Sequence, residues 1–291
     1  MTSLDDYMKS ACRVVEEALD RYLPPETEPP QSLHRAMRYS IFSNGKRLRP
    51  IMAIMSAEAC GGNAEQALPA GCALEMIHTY SLIHDDLPAI DNDDFRRGRP
   101  TNHKVFGEAM AILAGDALLT HAFHILTEAP TRNLHEVLRT LTEGVGIGGM
   151  VSGQVVDVEG EKHEPDIEKV EYIHLRKTAA PFAAAAKLGA LAANAPPEKT
   201  KALEEYGRDF GLAFQIVDDI LNEVGDAART GKPTGTDKSL GKQTYPAVVG
   251  IEKSKQAAHD YAERAKRRLE PFGPKGRLLK ELADFILSRD R

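Results

Sequence analysis

The chain has 291 residues, with 37 Lys and Arg against 43 Asp and Glu, so its formal net charge is −6. Hydrophobic residues make up 42% and charged residues 27%, which is ordinary for a globular protein with its own core. A mildly acidic chain lacks the basic surface that binds phosphate backbones, so we do not expect nucleic-acid binding.

The N-terminal segment, MTSLDDYMKS, is acidic and has no apolar core, which is not the pattern of a signal peptide. The most apolar stretch, residues 178–195, is mostly alanine and is interrupted by Pro181 and Lys187, so we expect no membrane span. Three cysteines without a CxxC pair are typical of reduced thiols. These features predict a cytoplasmic protein.

Helical periodicity runs along most of the chain. Phe210, Phe214, Val217 and Leu221 fall at i, i+4, i+7 and i+11, on one helix face, and residues 133–145 repeat this pattern. No run of alternating apolar and polar residues predicts a sheet. We therefore expect an all-α, single-domain bundle of ten or more helices over residues 1–291, with short connections.

The first acidic motif is DDLPAID, which follows an apolar helical run. Asp85 and Asp91 are six residues apart, about 240° around an ideal helix. They converge on one cation only if the helix ends or bends near Pro88. An EF-hand loop starting at Asp91 is excluded, because its sixth position needs glycine and holds Arg96.

The second acidic motif is QIVDD. Its first aspartate, Asp218, lies 133 residues after Asp85. Asp218, Asp219 and Asn222 share one helix face, next to Gln215. Two aspartate pairs on apolar helices that face each other require cations to balance their charge. Oxygen-only ligands favour Mg²⁺ over zinc.

Three groups of basic residues flank these motifs, in GKRLRP, in RRG and in the segment that follows the second aspartate pair. Arginine and lysine side chains hold phosphate oxygens. Their combination with metal-type carboxylates predicts a multiply charged phosphate ester bridged by Mg²⁺. The basic side chains are Lys46, Arg47, Arg49, Arg96, Arg97, Lys232, Lys238 and Lys242.

Two other patterns carry less weight. Residues 144–149 match G-x-G-x-x-G but follow a helical pattern and no strand, so we interpret them as close helix packing and not as a dinucleotide site. His121 and His124 have no third ligand nearby, which favours ordinary packing over zinc binding.

The combination of GKRLRP, DDLPAID with RRG, and QIVDD resembles the trans-isoprenyl diphosphate synthases, and among them the bacterial-type short-chain farnesyl diphosphate synthases (geranyltranstransferases). The resemblance extends from about residue 45 to residue 250. It implies a helical bundle around a deep central cavity, a homodimer, and Mg²⁺-dependent condensation of isopentenyl diphosphate with dimethylallyl or geranyl diphosphate.

The resemblance also implies residue roles. Asp85, Asp86 and Asp91 would hold two Mg²⁺ ions and Asp218 a third, with Asp219 in support. Lys177 and Thr178, together with Gln215, would face the developing allylic cation. The diphosphate ligands are Arg96, Lys177 and Lys232 for the allylic substrate, and Lys46, Arg49, His78 and Arg97 for isopentenyl diphosphate.

Two positions bear on the product and on metal affinity. Tyr80 lies five residues before Asp85, where a bulky ring would form a floor that stops elongation at fifteen carbons, as in farnesyl diphosphate. The alternative is that Tyr80 only packs within the helix. The family's second motif usually reads DDxxD, but Asn222 stands at its third acid, which predicts weaker binding of the third cation.

Three other functions fit parts of this pattern. A geranylgeranyl diphosphate synthase shares the motifs and has a deeper floor. A terpene cyclase shares the ionisation step, but it has no second diphosphate for Lys46, Arg49 and Arg97 to bind. A non-catalytic prenyltransferase partner subunit should have lost one metal motif, and this chain keeps both nearly complete.

Overall fold

A computed structural model describes residues 3–127, 129, 131, 133–160, 166–224, 242 and 244–289. Nearly all of this part is helical, as the periodicity predicts. The α-helices are α1 (Leu4–Tyr22), α2 (Gln31–Ile41), α3 (Leu48–Ala59), α4 (Ala64–Asp85), α5 (Asn102–Phe106), α6 (Glu108–Thr127), α7 (Leu134–Val145), α8 (Met150–Gly160), α9 (Ile167–Ile173), α10 (Ala180–Ala192), α11 (Pro197–Val224), α12 (Tyr245–Val249), α13 (Ile251–Arg268) and α14 (Arg277–Leu287).

Two short segments depart from α-helical geometry. His174–Ala179 is a π-helical segment between α9 and α10, and Glu270–Gly276 is a 3₁₀ helix before α14. A single π turn inserted in a helix realigns the side chains on either side of it and is frequent at functional sites.

The central helices bury most of their surface. Helix α4 packs against α3 and α6, α10 packs against α3 and α11, and α11 also packs against α13. Buried residues lie all around α4, including Leu68, Leu74 and Ile77. A helix that is apolar on every side belongs in the interior of a bundle.

The ends of α4 follow local sequence signals. Asn63 caps its first turn: its side chain accepts from the backbone N–H of Gln66, and the Gln66 side chain accepts from the backbone N–H of Asn63. The helix ends at Asp85, just before Pro88. The predicted interruption near this proline is therefore confirmed.

One small sheet is present where the sequence pattern predicts none. Phe95–Arg96 pairs antiparallel with Arg99–Pro100. The turn residues Arg97 and Gly98 have φ values of 53° and 74°, the left-handed geometry that two-residue hairpin turns use. Strands of two residues are too short to show an alternating pattern, which explains why periodicity does not reveal them.

The glycine-rich stretch 144–149 is a helix contact, as interpreted from the sequence. Gly144 lies in α7, and a Cβ atom there would stand 2.6 Å from the Cβ of Ala184 in α10. Its missing side chain lets the two helices approach closely.

Helix α6 is long and apolar enough to cross a membrane by length and composition, and no other helix in the described residues is. This differs from the sequence analysis, which singled out residues 178–195. Helix α6 packs against α2, α4 and α5, and the core helix of a globular protein has the same composition. Two of its apolar side chains, Ile112 and Leu113, are 44% and 54% exposed.

Candidate active site

A cavity of about 900 Å³ opens between α3, α4, α8, the π-helical segment and α11. Most of the side chains selected from the sequence meet here, from positions as far apart as Lys46 and Asp218. Those that line it are Lys46, Arg49, His78, Tyr80, Asp85, Arg96, Arg97, Lys177, Thr178, Gln215 and Asp218.

Five selected residues do not line the cavity. Asp86 and Asp219 contact residues that line it, Arg96 and Gln215, and Asp91 and Lys242 contact each other. Lys232 lies outside the described residues.

The first acidic motif turns back on itself beside the cavity, which Asp85 and Ile90 line. The backbone N–H of Asp91 donates to the carbonyl of Asp85 over 2.8 Å, so the chain between them forms the predicted bend. Burial, with the negative charge of Asp91 nearby, raises the pKa of Asp85 to about 6. Asp91 forms an ion pair with Lys242, with Nζ and Oδ1 separated by 3.1 Å. Burial disfavours the ionised carboxylate, and the charges of Lys177, Arg96 and Lys242 offset part of that cost.

Asp86 forms an ion pair with an arginine, Arg96. The Arg96 Nε atom donates to both carboxylate oxygens, at 2.7 and 3.0 Å, and its Nη2 atom lies 2.6 Å from Oδ1. Asp86 is only 3% exposed. The resemblance implies a metal role for Asp86, and that role stays a prediction. In the structure it orients Arg96, which lines the cavity.

The second acidic motif divides in the same way, although the spacing predicts one shared helix face for its two aspartates. Asp218 lines the cavity and its side chain is 54% exposed, with an Arg289 guanidinium nitrogen 3.6 Å from Oδ1. Asp219 is buried: it accepts from the Gln215 amide at 2.9 Å, from the backbone N–H of Tyr245 at 2.9 Å, and has His174 Nε2 3.1 Å from Oδ2. Asp219 thus supports the site through its neighbours.

The acidic groups suit a cation that shares its ligands with a substrate. Among the described residues, no three His, Cys, Asp or Glu side chains lie close enough together to hold a metal ion on their own. Mg²⁺ prefers oxygen ligands and is bound in proteins by one or two carboxylates together with substrate phosphates and water. Asp85 and Asp218, which line one cavity, fit this kind of site.

On the α3 side of the cavity, basic side chains surround one buried carboxylate. Arg47 and Glu75 form a buried ion pair, with Nη1 and Oε1 separated by 3.1 Å. The guanidinium of Arg97 donates to the carbonyl of Ser43 at 2.8 Å. Arg49 stacks over the Phe182 ring, 4.6 Å from its centroid. More cations than anions converge here, so the pocket favours an anionic ligand.

The environment sets the charge state of these groups. Burial lowers the pKa of the Arg49 guanidinium to about 10, and Arg97 nearby acts in the same direction. Burial and the adjacent arginines hold the pKa of His78 well below its ordinary value of 6.5. At neutral pH, Arg49 is therefore cationic and His78 is a neutral hydrogen-bonding group.

The π-helical segment presents Lys177 and Thr178 to the cavity. Lys177 Nζ donates to Asp157 Oδ2 at 2.6 Å, and Thr178 Oγ1 donates to Gln215 Oε1 at 2.7 Å. The second bond joins two residues selected from the sequence, 37 positions apart.

Sequence reasoning missed four side chains that organise the site, namely Glu75, Asp157, His174 and Arg289. Each of them contacts a selected residue, or the cavity itself, across a large sequence separation. None belongs to a motif whose spacing points to a site, so no local pattern singles them out. Only the contacts reveal them.

Residues 30–271 match the family model described as polyprenyl synthetase. The chain belongs to the polyprenyl synthetase family. It is 43% identical to the farnesyl diphosphate synthase of Geobacillus stearothermophilus, over 99% of this chain and 98% of that protein. It is 43% identical to the heterodimeric geranylgeranyl pyrophosphate synthase large subunit 1, chloroplastic, of Arabidopsis thaliana, over 97% of this chain and 78% of that protein.

Solved structures of the polyprenyl synthetase family share the fold. The crystal structure of geranylgeranyl pyrophosphate synthetase from Pyrococcus horikoshii Ot3 superposes with a TM-score of 0.88 at 32% identity, covering 98% of both chains. The all-α class expected from the sequence is confirmed, and so is the family. The chain is an enzyme of the prenyl diphosphate synthase family, with isoprenoid diphosphate substrates.

Proposed function

We propose that this polyprenyl synthetase is a Mg²⁺-dependent farnesyl diphosphate synthase, which adds isopentenyl diphosphate to dimethylallyl and then to geranyl diphosphate. The observation that carries the proposal is one cavity with two sites for charge. Metal-type carboxylates, Asp85 and Asp218, line the cavity, and a group of arginines that includes Arg49 and Arg97 lies around His78.

The two sites fit two different diphosphates. Arg96 and Lys177 lie near Asp85, where an allylic diphosphate would share its oxygens with Mg²⁺. Lys46, Arg49 and Arg97 would bind isopentenyl diphosphate, with His78 as an uncharged hydrogen-bond donor. A terpene cyclase has no second diphosphate and would leave this cationic pocket without a function. A non-catalytic subunit would not need both carboxylate groups.

The residues of the chain support ionisation of the allylic carbon–oxygen bond. Mg²⁺ held by Asp85 and Asp218 would supply the positive charge that neutralises the leaving diphosphate. Thr178 and Gln215 present oxygen dipoles to the cavity, where positive charge develops on the allylic carbons. Apolar side chains, among them Val155 and Phe214, line the space around them and reduce contact with water. The isopentenyl double bond then attacks the cation, and the departed diphosphate accepts the released proton.

The product length rests on Tyr80. Its ring lines the cavity one and a half turns before Asp85, about 7.5 Å along α4 at the rise of an α-helix. The ring lies edge-on to His84, with centroids 5.6 Å apart, so it is held in place. Relatives carry both the farnesyl and the geranylgeranyl name, so their names do not set the product length, and the Tyr80 ring supports fifteen carbons.

Incubation with labelled isopentenyl diphosphate, Mg²⁺ and each allylic primer, followed by chain-length analysis, tests the proposal. The wild type should stop at fifteen carbons and should lose activity when the metal is chelated. Tyr80→Ala should shift the product to twenty carbons or more, whereas Tyr80→Phe, which keeps the ring, should not. A main product of twenty carbons from the wild type, or an unchanged length in Tyr80→Ala, would refute the floor.

A further inference from the structure

A ladder of two polar contacts joins the π-helical segment to α11. His174 contacts Asp219 at 3.1 Å, and Thr178 donates to Gln215 at 2.7 Å. Each member is four residues from its neighbour on the same segment, and the two segments run in opposite directions. Close approach is possible because Gly211 has no side chain: a Cβ atom there would lie 2.6 Å from the Cα atom of Ala179.

The ladder determines which way the Gln215 amide points. Its Nε2 atom donates to Asp219 Oδ1 at 2.9 Å, and an ionised carboxylate can only accept. Its Oε1 atom therefore faces Thr178 and accepts the hydroxyl hydrogen. Because that hydrogen is used, the lone pairs of the Thr178 oxygen remain to face the cavity. A reversed amide would turn N–H groups, which repel positive charge, toward the same place.

His174 stands at the far end of this chain of bonds. Its side chain is 3% exposed and does not line the cavity. Its Nδ1 atom has no hydrogen-bond partner within the described part of the chain. A buried N–H without an acceptor costs more than a buried lone pair with no donor, so we assign a ring hydrogen to Nε2, which has an acceptor. That hydrogen points to Asp219 Oδ2.

Asp219 needs this donor to keep a single orientation. Its Oδ2 atom accepts from the backbone N–H of Tyr245 and from His174, while Oδ1 is left to Gln215. The imidazole also stacks on the Tyr245 ring, with centroids 5.8 Å apart. His174 thus offers two separable contributions: a hydrogen bond through Nε2 and a packing surface.

We propose that His174 is a positioning residue for catalysis: through Asp219 it holds the Gln215 amide so that Gln215 and Thr178 present oxygen, and not N–H, to the developing allylic cation. The proposal rests on the proposed prenyl transfer. It does not depend on the length of the product.

Two substitutions separate the hydrogen bond from the packing. His174→Phe keeps a ring against Tyr245 and removes the donor, whereas His174→Gln removes the ring and keeps an N–H near the Nε2 position. We expect His174→Phe to lower kcat about tenfold, the effect of losing one hydrogen bond to a charged group. The KM values for both substrates should stay within about twofold, and His174→Gln should recover most of kcat.

His103→Phe is the matched control, because His103 is also buried and bonds to Thr101 away from the cavity. It should leave kcat unchanged. A double-mutant cycle adds a second test: in a Gln215→Leu background, His174→Phe should have almost no further effect on kcat, since the amide that it orients is gone.

The outcomes distinguish the two proposals. If the wild type performs no condensation, the proposed function fails and His174 is not at issue. If the wild type is active and kcat follows packing, with His174→Phe active and His174→Gln inactive, the positioning role is refuted. Additive losses in the double-mutant cycle, or equal changes of KM and kcat, would also refute it.

Discussion

Asp85 and Asp86 are adjacent and chemically identical, yet their surroundings predict opposite effects of replacement by asparagine. Asp86 is 3% exposed and accepts three close contacts from the Arg96 guanidinium. Removing one partner of a buried ion pair leaves an uncompensated charge. Since asparagine still accepts one hydrogen bond, we expect Asp86→Asn to lower the free energy of unfolding by about 2–3 kcal/mol.

Asp85→Asn should change the free energy of unfolding in the opposite direction. Burial raises the pKa of Asp85 from 3.8 to about 6, so the folded protein disfavours the ionised form by roughly 3 kcal/mol. At neutral pH the neutral amide should therefore raise the free energy of unfolding by about 1–3 kcal/mol. This difference should shrink as the pH falls through 6, because the wild-type carboxyl then becomes protonated in the folded protein.

Activity should separate the two residues again. Asp85→Asn should lower kcat at least about a hundredfold and raise the Mg²⁺ requirement, since a carboxylate on the cavity is lost. Asp86→Asn should act through Arg96 and chiefly raise the KM of the allylic substrate.

Thermal unfolding and steady-state kinetics over a Mg²⁺ series measure both effects. For a chain of this length, the loss in Asp86→Asn corresponds to a fall in Tm of about 5 °C. Asp94→Asn is the control, since Asp94 pairs with Lys104 on the surface and should change neither Tm nor kcat. The reasoning is refuted if Asp86→Asn keeps the wild-type Tm and shifts the Mg²⁺ curve as Asp85→Asn does.

Three further substitutions test other parts of the molecule. Asn222→Asp, on the cavity wall, should lower the Mg²⁺ concentration for half-maximal rate by roughly two- to fivefold, and an unmoved curve would place Asn222 outside the metal shell. His78 has a depressed pKa, so it stabilises the fold above pH 6.5 and this contribution is lost as the pH falls. In chemical denaturation below that pH, the wild type should lose stability relative to His78→Gln by up to about 1.4 kcal/mol per pH unit. The control is His259→Gln, at an exposed histidine, and its stability should follow that of the wild type. Leu113→Asp, on the exposed face of α6, should convert the expected homodimer to monomers in light scattering, and a monomeric wild type would contradict the dimer.

The sequence by itself determines the helices and much of the chemistry. Helical spacing of Phe210, Phe214 and Val217 predicts the apolar face of α11, and Pro88 predicts the end of α4 and the bend that follows. These are local properties, because side-chain spacing and the missing proline N–H act within one or two turns. The motifs likewise predict carboxylates opposite basic groups, and the structure brings eleven of the selected residues to one cavity.

Only the tertiary structure decides which member of each aspartate pair faces the cavity. Neighbouring side chains on a helix point about 100° apart. The spacing therefore shows that Asp85 and Asp86 point in different directions, but not which of them points into the cavity. Packing of α4 and α11 against their neighbours sets that direction. It places Asp86 in contact with Arg96, and Asp219 in contact with Gln215. Buried polar groups need partners, and partners such as His174 come from segments that no local pattern connects, because burial and proximity arise only when the helices assemble.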